Sequence, residues 1–543
     1  MANSGGNFLF SFVGQVANSG ILKNDDCCDI IKQICTDRWT ELRRVEIMIL
    51  GIDLGTTFSA GAYMDHKGEP QIASNNDGSK LTPSVVFFDP DSNHEIIVGK
   101  AAKDNAILYP ENVVMDVKNY MGKNKIMKEY DGKKYTPEMI SSFVIRKVVQ
   151  DSEEYLGQKI DGVVITVPAY FTDARRKATE DAAAIAGYPL LGMINEPTAA
   201  ALCYQRKQKI TNENIMIYDL GGGTFDVTIL HIDDNEHMEV LSTDGLSNAG
   251  GRFFDQCIID YVRDYIEREH DVDIEDEEYI DILQDLYKDA EAAKIELSSR
   301  KTTNIIVKAG KIREKIEISR EQFEKMISKV YRRTELKMEE ALKSAGLEKK
   351  EIDKVLLVGG SSRIPYIAEK VEHFIGREPS KDINPNEAVA LGAAIYSELC
   401  GNKGARFVDV CSHSIGVVVM KGNTEENNII IPKNSKVPVE IEQRFLTMAD
   451  NQKKIELTVT EGEYLEVTDV TTIGKFEIYL PDNTPAKSLV LIKIGLDKHQ
   501  LIHIHIALPD MEFEEEYHMK RAANMDEDAI KDVTGILRDY TVS

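Results

Sequence analysis

An α/β architecture followed by an all-β region is what this sequence predicts, and three observations carry it. From Met48 to about Cys400, apolar strand-like runs alternate with helical periodicity, as in a mainly parallel sheet covered by helices. After about Gly401 the helical period stops and short strands with period-2 alternation take over. Within the first region a unit of strand, Asp, Gly-rich turn, Thr and strand occurs twice.

In chain order, residues 1–47 are rich in Gly, Ser and Asn and hold one short helix-like stretch at 25–42. At Met48 the text changes to Met-Ile-Leu-Gly-Ile-Asp-Leu-Gly, an apolar strand entering a turn, so 1–47 is expected to be an extension. Strands are expected at 49–54, 162–167, 215–219 and 354–358, and helices at 136–155, 173–186, 254–270, 279–297 and 320–345. The acidic stretch 271–281 is expected to be a solvated turn and helix face. Beyond it, strands are expected at 455–459, 475–480, 489–494 and 501–506, the pattern of a β-sandwich. The Ile-His-Ile-His-Ile alternation assigns His503 and His505 to an outward strand face rather than to zinc. One short helix is expected at 526–540. The organisation is therefore an extension over 1–47, an α/β domain over 48–402, a connection over 403–410, a β-sandwich over 411–515 and a helical tail over 516–543.

Composition narrows the function. The length of 543 residues allows about three or four domains. A net charge of −26 argues against nucleic acid and anionic membrane surfaces as partners. Seven cysteines, an odd number spread along the chain, form no disulfide framework, and Cys27, Cys28 and Cys35 lack a paired fourth ligand at finger-like spacing. No apolar run reaches transmembrane length, and the apolar stretch near Phe8 has no basic leader. A reducing, cytoplasmic compartment is the expectation.

The chemistry is carried by the repeated turn. Residues 53–59 read Asp-Leu-Gly-Thr-Thr-Phe-Ser, and residues 219–226 read Asp-Leu-Gly-Gly-Gly-Thr-Phe-Asp. Glycines here let backbone N–H groups approach phosphate oxygens, where a Cβ would block them. Asp53 and Asp219, leading the two turns, are placed to hold a hydrated Mg²⁺ on those phosphates. Two matched turns suggest two related halves gripping one triphosphate. Neither turn ends in Gly-Lys-Ser/Thr, and neither opens a helix as a dinucleotide fingerprint does. A third turn, Val358-Gly-Gly-Ser-Ser-Arg-Ile-Pro, could bring backbone near a base or sugar.

At these residues the chain resembles the heat-shock protein 70 chaperones. The matching motifs lie in order: Gly51-Ile-Asp-Leu-Gly-Thr-Thr-Phe-Ser, Val167-Pro-Ala-Tyr-Phe, Asn195-Glu-Pro-Thr-Ala-Ala, Asp219-Leu-Gly-Gly-Gly-Thr-Phe-Asp, Val358-Gly-Gly-Ser-Ser-Arg-Ile-Pro and Asn384-Pro-Asn-Glu-Ala-Val-Ala. A weaker match continues through Asp450-Asn-Gln, Glu461-Gly-Glu and Gly474-Lys-Phe-Glu. The resemblance implies an α/β actin-like, two-lobed ATPase domain followed by a β-sandwich substrate-binding domain. It implies ATP and Mg²⁺ as cofactors, with K⁺ as a further candidate. Unfolded or client polypeptides are the implied partners, with J-domain co-chaperones and nucleotide-exchange factors beside them.

Residue by residue, the resemblance implies that Gly55, Thr56 and Thr57, with Gly221, Gly222, Gly223 and Thr224, clamp the β- and γ-phosphates. Asp53, Asp219 and Glu196 would organise Mg²⁺ and its waters. Lys118 would position the attacking water, with Asp226 and Thr224 assisting. Glu291, Lys294 and Ser298, spaced i, i+3, i+7 on one helical face, would meet adenosine, opposite Gly359, Gly360, Ser361 and Arg363. Pro168 and Arg176 match the family's interdomain relay. Val417, Phe445, Met448, Ile455 and Leu457 would line the peptide cleft and arch.

Four departures stand out. Ile295 occupies the place of an adenine-stacking arginine, Asn386 that of the usual aspartate, and Gly192 that of an arginine used by the J-domain partner. The acidic, leucine-rich linker is reduced to Ala405-Arg-Phe-Val-Asp, so weak coupling between the domains is expected. The helical lid of the family is expected to be truncated. Two other readings remain: a nucleotide-sensing scaffold with one fixed partner, and a sugar-kinase relative on the same fold.

Overall fold

A computed structural model describes residues 47–91, 95–106, 108–208, 212–274, 279–309, 312–399, 407–421, 424–517, 527–537 and 540–543. The chain divides into Met1–Met48 and a compact unit Ile49–Ser543. The helix expected at 25–42 lies outside the described residues.

Two six-stranded sheets organise the first part of that unit. In the first, Ile49–Asp53 pairs parallel with Gly162–Val167 and antiparallel with Phe58–Met64, which continues to Pro70–Ala73. Leu190–Asn195 lies parallel beyond Gly162–Val167. In the second, Glu213–Leu220 pairs parallel with Lys354–Val358 and antiparallel with Phe225–Ile232, which continues to Met238–Leu246. The four central strands thus repeat one topology, and in each sheet a hairpin turn carries the Gly-rich motif. Gly162–Val167 is buried at all six positions, as its mostly apolar text suits a strand with parallel neighbours on both sides.

Helices cover these sheets where the sequence supplies both period and stops. Asp173–Ala186 ends at Gly187, whose φ of 88° supplies the left-handed cap. Arg320–Ala345 opens with a capping box between Ser319 and Gln322 and closes at Gly346. Glu196–Lys207 and Ala388–Leu399 are apolar along most of their length and share one core with strands of both sheets. That shared core sets the two phosphate turns opposite each other.

The all-β region is two four-stranded antiparallel sheets around one core. One is ordered Thr424–Ile431, Ile415–Lys421, Lys454–Glu461, Thr471–Tyr479, and the other Val439–Leu446, Leu489–Leu496, Ile502–Leu508, Phe513–Tyr517. Ile502–Leu508 alternates buried and half-buried along its whole length. His505 pairs with Glu514 at 2.9 Å and His503 with Glu440 at 3.5 Å. Among the described residues no cluster of three ligating side chains forms.

Three boundaries differ from the sequence reading. Residues Phe407–Val410, read as linker, form a strand that extends the second six-stranded sheet through Met238 and Glu239. The sandwich runs to Tyr517, because Phe513–Tyr517 completes its second sheet. The tail is not all helix. Glu527–Leu537 is helical, but Thr541–Val542 is a strand paired parallel with Glu95–Val98. Edge backbone left open on one element captured backbone distant in sequence, which local periodicity cannot announce.

Candidate functional site

The two turns pack against each other. A Cβ on Gly222 would fall well inside contact distance of the Thr57 hydroxyl, so only glycine allows this approach. The second turn is oriented from behind. The N–H groups of Gly251, Arg252 and Ala249 donate to the carbonyls of Gly221 (3.0 Å), Gly222 (2.9 Å) and Gly223 (3.3 Å). With three successive carbonyls drawn to one side, the peptide N–H groups are left for the other, the arrangement of an anion-binding nest. Ser361 Oγ also donates to Gly221 O at 2.8 Å. Gly359 holds a φ of +78°, and a Cβ there would fall 2.7 Å from Asp219 Oδ1. The third glycine turn therefore packs on the second phosphate turn.

Beneath the turns lies a crowded set of charges. Lys118, on the 3₁₀ turn Val117–Tyr120, is buried and ion-paired with Glu196. Glu196 is the first residue of its helix, at the positive end of the dipole. Asp53, Asp219 and Asp226 are buried beside this pair, or nearly so. Burial first and the charge of Glu196 second push Asp53 up to about 7 and Asp226 up to about 7. The same two causes, with Asp226 and Asp53 adding repulsion, hold Asp219 well above the usual carboxylate range. Asp226 Oδ1 accepts the Tyr170 N–H at 2.8 Å, and Thr166 Oγ1 donates to Asp53 Oδ1 at 3.3 Å. Asp219 Oδ2 is buried without a hydrogen-bond partner. These carboxylates form no three-ligand cluster for direct coordination, but four of them against one lysine, with the Asp219 oxygen unsatisfied, suit a hydrated divalent cation held through its waters.

The residues assigned to adenosine lie on Ile280–Ser299 and are engaged with protein. Glu291 pairs with Lys103 of the opposite half at 2.7 Å. Lys294 pairs with Asp255 at 2.8 Å and donates to Gly251 O at 3.3 Å. Burial pushes Asp255 up to about 6, with Lys294 opposing. Ser298 Oγ bonds back to the Lys294 carbonyl. Ser361 and Lys294 converge on Gly251. Gly360 faces Asn386, Arg363 is exposed, and Ile295 is 61 % exposed.

The interdomain residues form a second buried group. Arg176 donates to Ala169 O, Phe171 O and Asn195 Oδ1, the first two just past Pro168. Asn195 Nδ2 donates in turn to Asp409 Oδ2 at 2.8 Å, within the former linker. Asp173 Oδ1 accepts the Ile502 N–H, while its own N–H donates to Glu461. His499 Nδ1 accepts the Met193 N–H at 3.1 Å, so that nitrogen carries no proton in this contact. The residues assigned to peptide do not share one environment. Val417 and Leu457 sit in the sandwich core, Phe445 and Ile455 pack at its edge, and Met448 is 92 % exposed.

Sequence reasoning missed Asn119, Arg252 and the Ala249–Arg252 brace. The pair Gly250-Gly251 was the only visible signal, because the rest depends on contacts between distant segments. No helix among the described residues is long and apolar enough to cross a membrane.

Matched glycine turns packed together beside a carboxylate and lysine cluster carry the groups that suit a polyphosphate and its cation. A family model described as Hsp70 protein matches residues 49–539, and the chain belongs to the heat-shock protein 70 family. Members of that family are ATPases that bind ATP with Mg²⁺, client polypeptides and co-chaperones.

Proposed function

We propose that this chain hydrolyses ATP in the cleft and uses its β-sandwich to bind extended apolar polypeptide segments, as a cytosolic chaperone. The observation that carries the reading is the convergence of two glycine turns on a carboxylate cluster with an unsatisfied Asp219 oxygen. Backbone N–H groups of the turns, with Thr56, Thr57 and Thr224, would hold the β- and γ-phosphates in line. Asp53, Asp219 and Glu196 would hold Mg²⁺ through water, and that ion supplies neutralisation of phosphate charge. Lys118 would hold the attacking water and oppose the charge that develops on the phosphoryl oxygens. Asp226, pushed up to about 7, suits a group that accepts the water's proton as the new P–O bond forms and the γ-phosphorus bond to the departing ADP oxygen breaks.

Phe407 and Val408 replace the missing leucines as a paired strand, and Asp409 is held by Asn195. We read this as support for coupling between cleft and sandwich, against the weak coupling expected from the linker text. The test is ATP turnover with and without saturating apolar peptide, in wild type and in Lys118→Ala. Turnover that rises with peptide and falls roughly 100-fold in the variant supports the reading. Nucleotide binding without turnover favours the scaffold, and phosphorylation of a sugar would overturn the assignment.

A further inference from the structure

Next to Lys118 on the Val117–Tyr120 turn stands Asn119. Its amide Nδ2 is buried and has no hydrogen-bond partner. Its side chain lies directly over the second phosphate turn. A Cβ on Gly223 would fall 2.5 Å from Asn119 Oδ1 and 3.1 Å from Nδ2. A buried donor without an acceptor is rare in folded proteins and costly. The acceptor that this place would receive is an oxygen of whatever the turn holds.

The position of Asn119 is set from the opposite half. Its N–H closes the turn on Asp116 O at 3.1 Å, and Asp116 holds a left-handed φ of 57°. Asp116 Oδ2 accepts from Arg252 at 2.9 Å, while the Arg252 N–H is bonded to Gly222 O. Arg252 thus ties the phosphate turn of one half to the lysine turn of the other. The ion pair is about a third exposed on each side, so its value lies in placement more than in stability.

We infer that Asn119 is a nucleotide-contacting residue that donates to the terminal phosphate of a nucleoside triphosphate, with Arg252 as its positioning residue. The inference rests on the reading that the cleft binds ATP. It assigns to Asn119 the distinction between triphosphate and diphosphate, because Asn119 adjoins Lys118, which the proposed function sets at the terminal phosphate.

The experiment is calorimetry with Mg·ADP and with a non-hydrolysable β,γ-imido ATP analogue. Asn119→Ala should weaken the analogue about tenfold, the scale of a hydrogen bond to a charged group, and leave Mg·ADP within about twofold. Asn119→Asp should weaken the analogue further, since a carboxylate would then face phosphate. Equal effects on both nucleotides, or none on either, would overturn the role of Asn119. The Mg·ADP affinity of each variant reports that its cleft is folded. Arg252→Asp should lose preference for the triphosphate, and adding Asp116→Arg should restore it. Failure of the swap to restore it would remove Arg252 from the proposal. Wild-type protein that binds neither nucleotide would instead overturn the ATP reading itself, and the inference with it.

Discussion

Two buried charge clusters lie close enough for Arg176 of one to act on Asp226 of the other, and they differ in how their groups are satisfied. In the cleft, Asp53, Asp219, Asp226 and Glu196 crowd one lysine, and an Asp219 oxygen has no partner. At the contact with the sandwich, Arg176 donates three hydrogen bonds through Nε and Nη2, Asp409 is held by Asn195 and its own strand, and Glu461 accepts the Asp173 N–H. Both clusters are desolvated. The first leaves an Asp219 oxygen without a partner, whereas groups of the sandwich such as Glu461 and Ile502 satisfy the second. Buried charge sets of like composition thus differ in which atoms are left open.

The largest effect should come from filling the gap between the turns. Gly222→Val places a branched carbon where Thr57 already stands. Nucleotide affinity should fall at least about 100-fold, roughly 2.7 kcal/mol, by calorimetry, while the far cluster and the sandwich are untouched. Near-normal affinity would show that the turns do not hold phosphate.

At the joint, Arg176→Ala removes a buried cation that faces both Asp409 and Glu461. Breaking such a set typically costs about 3–5 kcal/mol. The expected outcome is that thermal unfolding divides into two transitions as the sandwich melts separately. A single unshifted transition would mean that the joint contributes little to docking.

The contrast explains what was legible in the sequence. Strands such as Gly162–Val167 and helices such as Asp173–Ala186 and Arg320–Ala345 could be placed to the residue, because period, caps and glycine stops are local. The repeated Asp-Leu-Gly turn was legible for the same reason. Asn119 was not, because its meaning comes from Gly223, a hundred-odd residues away. Nor was the strand Phe407–Val410, whose polar and apolar residues read as linker until the edge at Met238 accepts them. Whole-chain contacts, such as Tyr540 against Tyr135 at 3.1 Å, carry no local signal at all.

The clusters should also separate by pH. Asp53 binds its proton up to about pH 7 in the free protein, so a cation held through it must displace that proton. Mg·ADP affinity should fall as pH drops below about 7, by up to about tenfold per unit for each proton displaced. At the joint, burial, then Asp173, pushes Glu461 up to about 8. A carboxyl raised in the docked state holds its proton there, so this contribution weakens as pH rises from about 4.5 towards 8. Burial pushes His413 down to about 4, and its contribution has the opposite sign, lost as pH falls from about 6.5 to 4. Separation of the two melting transitions should therefore grow on the alkaline side, and Glu461→Gln should flatten that limb.

The smallest effect belongs to the outer rim of the cleft, which neither cluster controls. Ile295 stands on the helix that carries Glu291 and Lys294, and it is largely exposed. By resemblance to the family, an arginine at this place stacks on adenine. A guanidinium over an aromatic face is worth about 0.5–2 kcal/mol, the lower end where solvent reaches it. Ile295→Arg should then tighten ATP binding about threefold, and at most about thirtyfold. The new side chain needs no space inside the core, so stability should hardly change. Glu291 is already tied to Lys103 across the cleft mouth, and the added cation must not break that pair. Comparing ATP with a triphosphate that lacks the base isolates the effect. A gain confined to ATP would place the base against this helix, and an equal gain for both would show only added positive charge near phosphate.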